Sequence, residues 1–196
     1  MLSQQCNWAL YGMICFDQFF PDRVDSSDFV RAMRRVASSV TVVTTQGPAG
    51  CHGATVSAFC SVSAEPPQVL VCIRADSRIA RTIRSNGCYC VNVLSGEASR
   101  VADRFAGRHD HRVSDRFDGI AIDVPSAAGP VIEGSTAFAC ELETVLPSGS
   151  HLICLGRVIQ VKSGAKAPLA WMDGAYHQII PHFGDDRLRT AAGTTR

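Results

Sequence analysis

The spacing of the strand-like runs constrains this chain more than any other feature. VTVVTT (Val40–Thr45), the text from His52 to Ile73, CYCVNVL (Cys88–Leu94), FACELETV (Phe138–Val145), HLICLGRVIQV (His151–Val161) and PLAWM (Pro168–Met172) are rich in β-branched residues or alternate apolar with polar ones. Turn residues such as QGPAG and PSGS break them apart. Helical text is confined to FVRAMRRVA after a Ser26-Ser27-Asp28 cap, SRIARTIRSNG capped by Ser77 and stopped at Gly87, and EASRVADRFAG ending at Gly107. Strands do not alternate regularly with helices, so a doubly wound parallel sheet is excluded. The pattern implies a mainly β fold with peripheral α: a small closed or nearly closed β-barrel in a single domain.

The chain has 196 residues, 46% of them hydrophobic, enough for one sizeable core. The net charge of +1 gives no field to hold nucleic acid or a membrane surface. The longest apolar runs, such as Gln68–Ile73, are too short to span a bilayer. Nine cysteines is a high and odd count, and no C-x-x-C occurs, so zinc-ribbon and thioredoxin readings have no support. Most lie inside strand-like runs, where a thiol behaves as a small hydrophobe; reduced thiols place the expected location in the cytoplasm. Residues 1–24 read as an N-terminal extension, 25–183 as the folded domain, and the polar, Gly/Thr-rich residues 184–196 as a flexible C-terminal tail.

One strand-like stretch departs from the rest. GATVSAFCSVSAEPP (Gly53–Pro67) carries small residues and hydroxyls where large apolar side chains are expected. Small side chains let a flat, bulky ligand approach the backbone, while N–H and hydroxyl groups bond its polar edge. Tight packing at a barrel corner or a subunit interface explains the same composition. Just downstream, Asp76-Ser77-Arg78 opens a helix whose first N–H groups suit an anion, with Arg78 and Arg81 one turn apart; a solvated basic face is the alternative. No G-x-G-x-x-G, P-loop or G-x-S-x-G is present. His109-Asp110-His111 lacks a third ligand at a recognisable spacing, so no metal site is expected.

These segments together resemble the flavin reductase family with the FMN-binding split-barrel fold, which includes the small reductase components of two-component flavin monooxygenases. The likeness runs through RAMRRVASSVTVVTT (Arg31–Thr45), GATVSAFCSVSAEPPQVLVCI (Gly53–Ile73), SRIARTIRSNGCYCVNVL (Ser77–Leu94), DRFAG (Asp103–Gly107), PVIEGSTAFACEL (Pro130–Leu142), GSHLICLGRV (Gly149–Val158) and PLAWMDGAYH (Pro168–His177). By that resemblance Thr55, Val56, Ser57, Ala58, Phe59, Cys60 and Ser61 line the isoalloxazine and ribityl chain, and Ser77, Arg78 and Ile79 meet the phosphate end. It implies FMN or FAD as the flavin, NADH or NADPH as the hydride donor, and a homodimer with flavin near the subunit interface. Segments around Phe105, Arg116 and Trp171 then complete the site from either chain.

His151, at the family's Gly-x-His position, is the expected catalytic side chain, orienting the nicotinamide or balancing charge on reduced flavin; a strand-end histidine bonded to backbone is the bland reading. Tyr176 packs on nicotinamide or adenine, or simply on the rim. Asn92, inside an apolar strand, reads as structural. The implied activity is NAD(P)H-dependent flavin reduction with transient transfer to a partner monooxygenase. A flavoprotein reductase of a metal-centred acceptor, such as a corrinoid cobalt or ferric iron, is the second reading, and a non-catalytic flavin-binding protein the third. Stimulation by free flavin, stimulation by a metal-centred acceptor, and tight flavin binding without NADH oxidation separate the three.

Overall fold

The computed structural model describes residues 24–108, 110–123, 126 and 128–182, and the chain divides into two units, 1–36 and 37–196. The expected N-terminal extension and C-terminal tail lie almost wholly outside the described residues, as does His109. In the first unit α1 (Ser26–Met33) is capped by Asp25, whose carboxylate accepts from the Ser27 N–H at 2.6 Å. The cap therefore sits one residue before the Ser26–Asp28 expectation. Asp28 instead falls in the first turn and pairs with Arg31. Phe29, Val30 and Met33 are exposed. Helical spacing specified the helix here without specifying a buried face.

The second unit holds β1 (Ser38–Ser39), β2 (Thr41–Gly47), β3 (Gly50–Val56), β4 (Phe59–Ala64), β5 (Pro67–Arg74), α2 (Arg78–Asn86), β6 (Cys88–Val93), α3 (Ser99–Phe105), β7 (Thr136–Ser148), β8 (His151–Lys162), β9 (Leu169–Met172) and β10 (Ala175–Gln178). Seven strands form one antiparallel sheet in the order β3-β2-β6-β7-β8-β5-β4; β1, β9 and β10 form a second, small sheet. The outermost strands of the large sheet, β3 and β4, are consecutive in sequence, with only Ser57 and Ala58 between them. A flat seven-stranded sheet would hold its edges about 29 Å apart, at ~4.8 Å per strand. Three Cα steps from Val56 to Phe59 reach about 11 Å at most. The sheet must therefore curl until its edges nearly meet, which makes it a barrel with a seam at Ser57-Ala58.

Side chains fill the barrel interior. Alternate residues of β5 (Val69, Val71, Ile73) turn inward with Val43, Val56, Val91, Leu152 and Cys154, and α2 closes one end with Ile79, Ala80 and Ile83. Tyr89 crosses this core from β6, its hydroxyl within reach of the Val69 and Cys154 carbonyls at 3.3 and 3.2 Å. It fits because position 156 is glycine: a Cβ there would lie 2.4 Å from the Tyr89 oxygen. A second core lies outside β2 and β6, where Val40, Val42 and Leu94 meet Ala102 and Phe105 of α3, Ile132 and Leu169. With the lumen packed, a ligand has to bind on the outside of the barrel.

Asn92 fastens the 130–135 segment to the barrel. Its Nδ2 donates to Val42 O at 3.0 Å and its Oδ1 accepts from the Ile132 N–H at 2.9 Å, all fully buried. The structural reading of Asn92 therefore matches its contacts. Asn92→Ala leaves the buried Ile132 N–H without its partner, and should lower unfolding free energy by about 1–3 kcal/mol. Urea denaturation measures this, and wild-type stability in the variant would remove Asn92 from that role.

Candidate functional site

Two cavities meet at the seam. The larger, about 350 Å³, is bounded by Ala54–Ala58 on the seam, Cys72–Arg74 at the end of β5, Ser77 and Ile79 of α2, Phe105 and Ala106, Arg116, and His151. The smaller, about 240 Å³, is bounded by Val40, Thr55, Ser57, Ala106, Arg108, Trp171 and Tyr176. Thr55, Ser57 and Ala106 belong to both.

The seam gives the larger cavity its polar floor. β3 ends at Val56 and β4 begins at Phe59, so Ser57 and Ala58 lie between ladders. Ala58 O receives the Cys72 N–H at 2.9 Å, and Ser57 O receives the Phe59 N–H at 3.2 Å. Among the described residues no hydrogen bond from the Ser57 or Ala58 N–H is found. The small side chains leave these donors within reach of a ligand. Thr55 behaves differently, because its hydroxyl donates to Ala102 O of α3 at 2.6 Å. It ties the helix to the barrel wall.

At one end of the cavity stands the α2 N-terminus. Ser77 is its N-cap: Oγ accepts from the Ala80 N–H at 3.3 Å and donates to Arg74 O at 2.6 Å. The Arg78 and Ile79 N–H groups belong to a first turn that has no helical carbonyl to receive them. Gly87, at φ 70°, ends the helix as expected. Arg74 and His151 face each other across β5 and β8. Arg74 binds Asp76 through two contacts of 3.1 and 2.8 Å, and both side chains are 70% exposed, so the pair can open to another anion at little cost. His151 follows the Ser148–Ser150 turn, with Nδ1 2.9 Å from Ser150 Oγ.

Arg116 pins the roof. Its Nη1 donates to Gly53 O at 3.1 Å and Phe105 O at 3.0 Å, and its Nε and Nη2 meet the Asp110 carboxylate at 3.0 and 2.6 Å. Phe105 lies against β3 because residue 53 is glycine; a Cβ there would be 2.6 Å from the ring. In the smaller cavity Tyr176 donates to Asp103 Oδ1 at 2.7 Å and meets Trp171 edge-on at 4.9 Å, while Arg108 pairs with Asp103 and lies 6.0 Å over the indole. Burial and the Asp103 bond push the Tyr176 phenol up to about 12, so it stays protonated.

Of the residues singled out by sequence, Thr55, Val56, Ser57, Ala58, Ser77, Ile79 and His151 converge on the larger cavity, and Tyr176 on the smaller. Phe59 packs on the barrel core beside Phe138. Phe59, Cys60, Ser61 and Arg78 are not among the lining residues. The Arg78 charge acts instead on His52. Phe105 and Arg116 line the larger cavity and Trp171 the smaller, all from the same chain. Sequence reasoning missed Arg74, Cys72, Ala106 and Arg108. Only strand pairing brings Arg74 beside His151, and no sequence signal reports that register. Burial pushes the Cys72 thiol up, so it rests as the protonated thiol. The arrangement is suited to holding and orienting flat polar molecules.

The family model described as Flavin reductase like domain matches residues 33–179. The FMN reductase (NADH) RutF of Variovorax paradoxus is 34% identical over 167 residues, covering 83% of this chain and 91% of that protein. Among solved structures, the NADH:FAD oxidoreductase of Streptomyces globisporus in complex with NAD and FAD fragments superposes with a TM-score of 0.74 at 28% identity, covering 83% of this chain and 99% of the other. BorF, the flavin reductase component of a bacterial two-component tryptophan halogenase, gives 0.72 at 28% identity, covering 81% and 100%.

His52 carries a measurable signature of this site. Burial, then the Arg78 and Arg116 charges, lower it from 6.5 to about 4, against the opposing Asp110 and Asp115 carboxylates; its strand partner Thr45 is uncharged. The folded state holds the imidazole neutral, whereas the unfolded chain protonates it below about 6.5. Its contribution to stability is thus complete above 6.5 and lost as pH falls towards 4. His52→Gln should flatten the pH dependence of the urea midpoint across that window, and an unchanged slope would dismiss the assignment.

Proposed function

This chain belongs to the flavin reductase like domain family, and we propose from that premise that it transfers a hydride from NADH to FMN in the larger seam cavity. The observation that carries the reading is the pair of N–H groups at Ser57 and Ala58, without partners among the described residues, on a wall of small side chains next to the α2 N-terminus. A planar ring with carbonyl edges fits such a wall, and its phosphate fits the helix tip with Ser77, Arg78 and Ile79. Arg74 adds a formal positive charge there once Asp76 releases it. Bound flavin supplies the hydride-accepting chemistry, as cofactors do. The protein's own work is orientation and exclusion of water. His151, beside Arg74 at the cavity edge, is assigned to the nicotinamide carboxamide or to the charge of reduced flavin. Trp171 and Tyr176 in the adjoining cavity offer an aromatic surface to the dinucleotide.

FAD is an alternative flavin, supported by the Streptomyces relative. Reduced flavin passes to a partner oxygenase or halogenase, a reading supported by the likeness to BorF, which is the reductase component of a two-component halogenase. We place the reductase domain at residues 25–183, with 1–24 as an extension and 184–196 as a tail, around the matched span of 33–179. A homodimer is part of the proposal, supported by Leu146, Ile159 and Val161 exposed on β7 and β8. Among the described residues no helix is long and apolar enough to cross a membrane, and no disulfide forms among the described cysteines. The latter supports the proposed cytoplasmic location.

Purified protein mixed with FMN should show a bound-flavin spectrum that bleaches when NADH is added without air; an unchanged spectrum ends the proposal. Arg74→Ala should weaken FMN binding, and by more than Arg78→Ala does, measured by fluorescence titration. His151→Ala should slow NADH-dependent bleaching in stopped flow while the FMN dissociation constant holds. An equal loss of binding would move His151 from turnover to flavin retention.

A further inference from the structure

Nine cysteines exceed what a hydride-transfer site uses, and two of them lie diagonally on the neighbouring strands β4 and β5 beside the seam. In the β4–β5 ladder Cys60 stands opposite Leu70, and Cys72 lies two residues further along β5. Residues two apart on a strand share a face, so Cys60, Leu70 and Cys72 point to the same side of the sheet. Cys72 is half-buried in the wall of the larger cavity, and Cys60 is exposed. Their proximity shows in the Cys72 thiol, which the neighbouring Cys60 pushes up further, after burial. Cys154 stands opposite Val71 and faces the barrel core, on the other side of the sheet from Cys72. β4 is an edge strand, and its pairing shifts between Ser61 and Ser63, just after Cys60. That slip gives the strand slack.

We propose that Cys60 and Cys72, the second of them in the cavity wall, form an oxidisable dithiol pair closed to a disulfide by hydrogen peroxide. The source of peroxide rests on the flavin reductase reading: reduced flavin that meets oxygen instead of a partner is reoxidised, and oxygen takes its two electrons and two protons to become hydrogen peroxide. The exposed Cys60 thiolate attacks one peroxide oxygen, the O–O bond breaks, and hydroxide leaves behind a sulfenic acid. Cys72 sulfur then attacks the Cys60 sulfur, the S–O bond breaks, and a second hydroxide leaves. Protons from the two thiols turn both hydroxides into water. Two thiols are oxidised and one peroxide is reduced.

Diagonal neighbours in an antiparallel pair have Cα atoms about 7–8 Å apart. A disulfide holds them at about 4.4–6.8 Å. Closure therefore draws the edge strand inward by about an ångström and moves Cys72, with Ala58 hydrogen-bonded to it, in the cavity wall. Oxidation and flavin affinity are coupled through that shift.

The test treats the full-length reduced protein with hydrogen peroxide, alkylates remaining thiols, and maps disulfides by mass spectrometry. The expected product is a peptide pair joined through Cys60 and Cys72, lighter by two hydrogens and reversed by dithiothreitol. FMN affinity should fall by about tenfold on oxidation, within the usual range of coupled sites, and recover on reduction. Cys60→Ser should abolish that loss. Sulfinic acid on Cys60 with Cys72 still alkylated, a disulfide to any other cysteine, or an unchanged FMN dissociation constant in the bridged protein would each overturn the proposal. The mapping reads thiols alone and needs no flavin. Failure of the reduced protein to bind FMN would defeat the flavin reading, while the thiol map would still stand or fall by itself.

Discussion

Everything in this structure depends on a two-residue connection between the two ends of a seven-stranded sheet. Ser57 and Ala58 join β3 to β4, which the strand order places at opposite edges. So short a link leaves no flat arrangement available, and the sheet has to curl. Curling creates an interior, and the interior is filled by Val43, Val71, Tyr89 and their neighbours. It also creates a seam, a stretch of the barrel where backbone N–H groups have left one ladder and not joined another. The packed lumen and the open seam are two results of the same closure. They put the larger cavity on the outside of the barrel, at residues 54–58.

The elements around the seam are held by polar contacts to backbone. Thr55 bonds a carbonyl of α3, and Arg116 bonds carbonyls of both β3 and the α3 end while its other nitrogens hold Asp110. Asn92 fixes the 130–135 segment to β2. Asn92 also satisfies the buried Ile132 N–H, which irregular backbone would otherwise leave unpaired. The cationic groups near the cavity walls, Arg74 and Arg116, each carry a carboxylate partner. A site of this kind favours alignment of two planar molecules over proton transfer or nucleophilic attack. Hydride transfer needs alignment above all, since the reacting electrons belong to the nicotinamide and flavin rings.

Part of this was legible in the residues alone. The α2 boundaries follow from Ser77 and Gly87, whose capping roles are local chemistry and are realised as read. Of the small-residue stretch Gly53–Pro67, whose composition is wrong for an ordinary core strand, residues 54–58 line the larger cavity and Phe59, Cys60 and Ser61 do not. The hairpin strand β10 was not foreseen, and neither was β1: AYHQ and SS carry no β-branched run, and both become strands only through pairing with β9. The exposed apolar face of α1 ran against its pattern for a related reason, since periodicity fixes which residues share a face and not what covers it. Arg78 stood out as the cation of the helix tip, yet the cavity edge belongs to Arg74.

By itself, then, the sequence determined the class of the fold, the caps of α2 and the small-residue stretch beside the larger cavity, because each of these is set by local propensity, side-chain size or a short motif. Tertiary structure alone decided that β3 and β4 are the two edges of one sheet, that Arg74 faces His151, and that Cys60 lies diagonal to Cys72. Those facts are strand registers between segments far apart in the chain or at its folds. Register is fixed by the packing of a shared core, and no residue pair announces it in advance.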